Sequence, residues 1–367
     1  LSQASYIHVR DGRRPIPHER FNEAFMMHAS TSPQYAIIAS NDVSAAMMDG
    51  PSGIALTTDS IREAVAFRQM LSRLNADFAA RNEWFFDAWQ PAAVKEEKGG
   101  KAVPFHLASE QQLVTDPGAW ILHPDQDWHG FAGLEDDYCM LDPIKVSVVT
   151  PGVEASGKLA KTGIPAALLT KYLDQQGIQV EKTTDFTILF LFSLGITKGK
   201  WGTLVNALLD FKTDYDANRP LERVLPKLMA DHGDAYAGLG LKDLATRLFE
   251  AMRKLRTTEY LAKAFSLLPK ATLSPVQAYE TLVKGEVETL ALEQAAGRSV
   301  ATGIVPYPPG IPLLMPGEAM GPADGPILGY LKSLEAIDRL FPGFGHDTHG
   351  VENRGGTYEI QCLRVAS

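Results

Sequence analysis

Three hydroxyl side chains stand in a row at Ser30, Thr31 and Ser32 and run straight into Pro33, in the stretch "HASTSP". A proline suits the first helical position, so Ser32 is the natural N-cap of a helix over the apolar residues that follow. That role needs Ser32 alone. Ser30 and Thr31 are left over, and hydroxyls beside the free N–H groups of a helix start can bind an anion such as phosphate. On these residues both readings stay open. A second candidate is Glu181 in "QVEKTTDF", between two predicted strands. It is either a solvated strand-end carboxylate beside Lys182 or a counter-charge for a cationic substrate group, since a partly buried charge needs an opposite one. A third is Tyr307 in "PYPPGIPLLMPGE" at 306–318. Such a segment offers a polyproline II surface to a partner or forms a rigid loop that carries side chains to a fixed place. Its position between helices favours the rigid loop.

Other chemistries find no support. The histidines are His8, His18, His28, His106, His123, His129, His232, His346 and His349, and none falls in an HExxH or CxxC…H spacing, so no metal site is expected. His129 in "WHGF" reads as a hydrogen-bonded loop residue. There is no GxSxG elbow, no GxGxxG after a strand and no P-loop. Cys139 and Cys362 are too few for a disulfide framework, which favours a reducing, cytoplasmic setting. A formal charge of −9 argues against nucleic acid as a partner. The richest apolar run, "FTILFLFSLGI" at 186–196, falls short of the roughly 18 residues of a membrane span, so no membrane partner is expected. The chain opens "LSQASYIHV" without a Met and reads as a piece of a longer protein.

The elements that must position these residues follow from periodicity. "ASYIHVR" is strand-like. Tyr35 to Met48 has helical spacing through Ala39, Val43, Ala46 and Met47, and Gly50 suits the stop. "SIRE" at Ser60 has a capping-box pattern, with Ile61, Ala64, Val65, Leu71 and Leu74 as the buried stripe. Then the rhythm changes. A strand over 142–152, a helix over 164–177, the run "IQVEKTTD", the strand "FTILFLFSL" and a helix over 200–216 with Trp201, Leu204, Leu208 and Phe211 on one face give a β-α-β-β-α order, hence an α/β or α+β layer. The pattern breaks at 216–226, a candidate boundary. Helical stretches at 241–266 and 275–284 and a final strand "YEIQCLRV" complete the chain.

The stretches "FNEAFMMHASTSPQYAIIAS", "AAMMDG", "WFFDAWQP", "DWHGF", "MLDPIKVSVVTPG", "GIPAALLTKYLDQQGI", "LFLFSLGITKGKWGTLVNALLDFK" and "PYPPGIPLLMPGE" resemble the inducible bacterial lysine, arginine and ornithine decarboxylases. The resemblance runs in family order over almost the whole chain. It implies an α/β fold: residues 1–50 end an aspartate-aminotransferase-like pyridoxal-phosphate (PLP) large domain, 51–219 form an α+β small domain, and 220–367 an α+β C-terminal decarboxylase domain. In this family "LSQAS" follows a Ser-x-His-Lys motif whose lysine forms the Schiff base with the cofactor, so that catalytic lysine is expected upstream of Leu1 and none lies in the chain. Ser30 and Thr31 match the segment that reaches the cofactor phosphate of the neighbouring subunit, which implies a homodimer, and such dimers can assemble into decamers. Glu181 matches a substrate-binding position, and Tyr307 on its rigid loop is the second substrate-binding candidate.

The implied activity is decarboxylation of a basic amino acid. Lysine and ornithine members resemble this chain at Glu181, where the carboxylate receives a distal ammonium, whereas arginine members carry a threonine there. The flanking "TTDFTILFLFSLGITKGKWGTLVNALLDFKTDYDAN" looks like the arginine branch. Glu181 decides the reading for L-lysine to cadaverine, because a compact ammonium in a partly buried pocket needs a nearby counter-charge. Arginine to agmatine is the alternative, followed by ornithine or an inactive scaffold paralogue.

Overall fold

The computed structural model describes residues 4–95, 100–154, 156–307 and 310–364. Helices α1 (His18–His28) and α2 (Tyr35–Met48) bury no residue against the rest of the chain. Helix α3 (Gly50–Ala79) follows at once, with Gly50 at φ +66° as the left-handed stop of α2 and Pro51 starting the new helix. It therefore begins ten residues before the expected cap. Ser60 lies inside it, and its hydroxyl donates to Leu56 O at 3.2 Å instead of capping. A capping-box pattern works only where the preceding backbone leaves the helix, and here 54–59 continue it. The stripe is where expected, with Ala64, Val65 and Leu71 buried and Ile61 and Leu74 partly so. The strand expected over 4–10 is absent. Tyr6, Ile7 and Val9 are exposed, and no described strand lies alongside to accept the pairing bonds.

After α3 come the short strands β1 (Asp87–Ala88), β2 (Ala93–Lys95) and β3 (Ala102–Pro104), then α4 (Glu110–Thr115). The working core is built from β4 (Lys145–Val149), α5 (Ala166–Gln175), β5 (Lys182–Thr183), β6 (Thr187–Leu191) and α6 (Lys198–Asp216), close to the order read from the sequence. Strands run β1-β4-β6-β5, all antiparallel, with Val146 opposite Phe190 and Val148 opposite Ile188. Those four side chains are buried while their strand neighbours are not, the alternation of a sheet covered on one face. Helices α3, α5 and α6 supply the cover, through Phe67, Leu169, Leu173, Leu208 and Phe211 among others.

The chain then continues through α7 (Leu221–Val224), α8 (Pro226–Tyr236), α9 (Leu241–Leu255), α10 (Thr257–Phe265), α11 (Pro275–Val283), β7 (Val287–Ala291), β8 (Val305–Tyr307), α12 (Pro326–Leu340), β9 (Asp347–His349), β10 (Val351–Arg354) and β11 (Thr357–Leu363). At 216–226 the backbone turns through Asn218 at φ +44°, yet Leu221, Leu225 and the apolar face of α9 join the same core as the sheet. Asn218 Oδ1 accepts from Lys242 N and Asp243 N at 3.0 and 3.2 Å and so caps α9 from a distance in sequence. A second core gathers on β11, α12 and α10, with Leu328, Leu331, Tyr358 and Ile360. Helix α12 touches both cores, since Ile337 belongs to the first.

The long helix expected over 241–266 is broken at Arg256, which sits at φ +57°. Its guanidinium donates to Glu259 at 2.7 Å, and Lys263 Nζ donates to the same carboxylate at 2.7 Å. The Arg256 hydrogen bond, helped by Lys263, holds this carboxyl down at about 2. A lowered carboxyl pKa adds stability above the unfolded value, and that stability is lost as pH falls through the folded one. Any melting-temperature deficit of Glu259→Gln at neutral pH therefore closes as pH drops from 4.5 toward about 2. The group is solvent-exposed, so the deficit is small and shrinks with added salt. A deficit that persists at pH 2 contradicts the pairing.

Candidate functional site

Residues 182–191 form a hairpin at the edge of the four-stranded sheet. Glu181 opens it: its N–H donates to Leu189 O at 3.0 Å and its side chain is exposed. The turn is closed by Thr184 N donating to Thr187 O at 2.8 Å and by the two hydroxyls at 2.6 Å. Thr170 on α5 meets Thr183 hydroxyl to hydroxyl at 2.7 Å, and Ala166 N donates to Asp185 O at 2.9 Å. The hairpin is therefore tied to α5 at both its strand and its tip.

Tyr307 ends β8, which pairs with β9 so that Tyr307 lies opposite Asp347. Its ring stands edge-on to His349, centroids 5.1 Å apart. The loop beyond is pinned by Gly310 N donating to Pro306 O at 2.8 Å and by Leu313 N donating to Ile304 O at 2.8 Å. The sequence favoured a rigid loop here, and these bonds tie it at both ends; Pro308 and Pro309 lie outside the described residues. Tyr307 borders a cavity of ≈ 240 Å³, walled also by Thr183, Thr184 and Asp185 from the hairpin, Thr257 from α10 and His346 before β9.

The structure thus brings Tyr307 together with the hairpin that Glu181 opens, although the Glu181 side chain does not itself border the cavity. Ser30 and Thr31 stand apart, exposed between α1 and α2. Here the expected cap is corrected. Helix α2 starts at Tyr35 with Gln34 as N-cap and no capping side chain, while Ser32 N donates to Ser30 Oγ at 3.1 Å. Pro33 leaves Ser32 two residues short of the helix, so its hydroxyl cannot serve the first N–H groups. Ile37 N donates back to Gln34 O at 3.0 Å, and the two N–H groups before it, with the hydroxyls of Ser30 and Thr31, fit an oxyanion such as a phosphate.

Asp185, Thr257 and His346 were not candidates from the sequence. "TTDF" reads as ordinary turn chemistry, and burial of its aspartate depends on α10 and on the segment before β9. Burial pushes the Asp185 carboxyl up, opposed by His346. Among the described residues no group of three or more His, Cys, Asp or Glu is placed to hold a metal ion, and no helix is long and apolar enough to cross a membrane.

The architecture is a mixed α/β fold, and comparison with known proteins gives the family. Residues 1–200 match the Orn/Lys/Arg decarboxylase major domain and residues 258–364 match the Orn/Lys/Arg decarboxylase C-terminal domain. The chain belongs to the Orn/Lys/Arg decarboxylase family. It is 48% identical over 365 residues to the biodegradative arginine decarboxylase of Escherichia coli (strain K12), covering 100% of this chain and 48% of that protein. It is 45% identical over 369 residues to the lysine decarboxylase LdcA of Pseudomonas aeruginosa, covering 99% and 47%. The solved structure of lysine decarboxylase A from Pseudomonas aeruginosa superposes with a TM-score of 0.85 at 44% identity, covering 96% of this chain and 46% of that one. The chain spans about half the length of the curated relatives it matches.

Proposed function

We propose that this chain is the C-terminal half of a PLP-dependent decarboxylase that converts L-lysine to cadaverine and CO₂. The carrying observation is the placement of Tyr307 across one cavity from the hairpin that Glu181 opens. In this reading the Glu181 carboxylate receives the distal ammonium and Tyr307 borders the path of the aliphatic chain. Together they fix where the α-carbon lies, and orientation of this kind supplies much of an enzyme's rate. Ser30 and Thr31 donate to the cofactor phosphate, alongside the open N-terminus of α2. PLP, when bound, supplies the electron sink for loss of the carboxylate. Each turnover takes up one proton at the α-carbon.

The same reading places residues 1–50 at the end of the cofactor domain, 51–219 in the small domain and 220–367 in the C-terminal domain, with α7–α9 lending apolar residues to the middle core. It makes the working unit a cytoplasmic homodimer that assembles further, to a decamer. Helices α1 and α2 support an interface role, since Met27, Tyr35 and Ile38 are 77%, 80% and 53% exposed. Apolar surface of that extent calls for a covering partner.

Arginine decarboxylation to agmatine is the second reading, favoured by the 48% identity to an arginine decarboxylase against 45% to a lysine decarboxylase. That margin is narrow, and overall identity records ancestry more than contacts. Replacing both Ser30 and Thr31 by Ala tests the phosphate assignment. Two charge-assisted hydrogen bonds are lost, so PLP affinity of the full-length protein falls at least about tenfold in a spectroscopic titration. Unchanged affinity shows that the phosphate is held elsewhere. Release of CO₂ and a diamine from lysine by the full-length protein with PLP tests the activity itself; absence of turnover on lysine, arginine and ornithine refutes it.

A further inference from the structure

The cavity beside Tyr307 contains a charge that the proposed reaction does not use. Asp185 Oδ2 is buried and has no hydrogen-bond partner among the described residues. The Thr257 hydroxyl is unpartnered too, and the Thr258 hydroxyl lies close enough to help hold the Asp185 carboxyl down against burial. On the other wall a network of hydrogen bonds runs from His346 into the core. His346 Nδ1 meets Asp338 Oδ1 at 2.8 Å, and His346 N donates to the same oxygen at 3.0 Å. The Tyr358 hydroxyl donates to Asp338 Oδ2, and Tyr358 N donates to Glu335 Oε1 at 2.7 Å. This network is anchored in α12 and β11 and ends at His346, next to the residue that pairs with Tyr307. Lys171 also borders the cavity, but its charged neighbours are Asp174, Lys227 and Asp231. His346 is therefore the group that answers Asp185.

A carboxylate oxygen buried without a direct partner costs stability, so packing alone does not account for it. The space fits water: ≈ 240 Å³ holds several molecules at about 30 Å³ each, and the unpartnered oxygens supply their contacts. We propose that Asp185 is a positioning residue, which with His346 and bridging water holds the Glu181 hairpin at a fixed distance from Tyr307. The slot so set is the one that receives the distal end of a basic amino acid, and this rests on the function proposed above.

The test uses the full-length holoenzyme with Asp185→Asn, His346→Gln and the double variant. Asp185→Asn leaves the melting temperature unlowered, because a neutral amide removes a buried charge whose Oδ2 has no direct partner. It raises KM for the preferred amino acid about tenfold and leaves kcat within about twofold, the split expected when substrate binding alone is lost. The double variant is no worse than Asp185→Asn. Amide hydrogens of 182–191 exchange faster in both single variants, by the same factor. An unmoved KM in Asp185→Asn, additive effects in the double variant, or a lower melting temperature without a KM change overturns the proposal. If wild type turns over none of the three amino acids, the functional reading fails, and the exchange comparison still decides whether Asp185 and His346 act as one link.

Discussion

Arg68→Met lowers stability by about 3–5 kcal/mol, among the largest effects of any single substitution in the chain. Arg68 is fully buried on α3, among Ala64, Val65, Phe67 and Leu71. Its fork donates to four acceptors on other elements: Pro143 O at 3.1 Å, Trp89 O at 3.3 Å, Gln90 Oε1 at 3.3 Å and Lys145 O at 2.8 Å. Trp120 stacks on it, 5.4 Å from the guanidinium carbon to the ring centroid. The side chain thus ties α3 to the segment before β2 and to the start of β4. Methionine fills much of the volume but leaves those acceptors unpaired, each at a cost of about 1–3 kcal/mol where it stays dry. Arg68→Lys does not rescue, since one ammonium cannot meet four acceptors spread in a plane. Thermal unfolding of the full-length protein checks both variants. Wild-type melting in Arg68→Lys contradicts the bridging role.

The sequence made regular elements legible where one periodicity ran cleanly between breakers. Helices α2, α6 and α11 and strands β4 and β6 were of this kind. Elsewhere a local signal was overruled by its surroundings. The Ser60 pattern lost to a helix already under way, and the strand-like 4–10 found no partner. Strands β7 and β10 escaped notice because their side chains are half-buried or exposed, so no clear alternation marks them. The site divided in the same way. Glu181 and Tyr307 were candidates by residue chemistry, Glu181 with support from resemblance, and the nearness of Tyr307 to the 182–191 hairpin came from the fold, because sheet edge and β8 are far apart in the chain. Asp185 was hidden altogether, since a buried turn aspartate and an exposed one read alike.

Glu181→Ala reduces kcat/KM for lysine roughly 10–100-fold, the size of a lost hydrogen bond to a charged group. Arginine turnover by the same variant falls less. Its guanidinium spreads charge over five donors and loses a smaller share of its contacts with one carboxylate. The exposed position of Glu181 at the head of the hairpin suits a side chain that a substrate, and a second subunit, complete. The decisive measurement is kcat/KM for lysine, arginine and ornithine by the full-length protein with PLP, in wild type and Glu181→Ala. A wild-type preference for lysine that collapses in the variant is the predicted result. Dominant arginine turnover, or lysine turnover untouched by the substitution, contradicts it and makes Glu181 a solvated strand-end carboxylate.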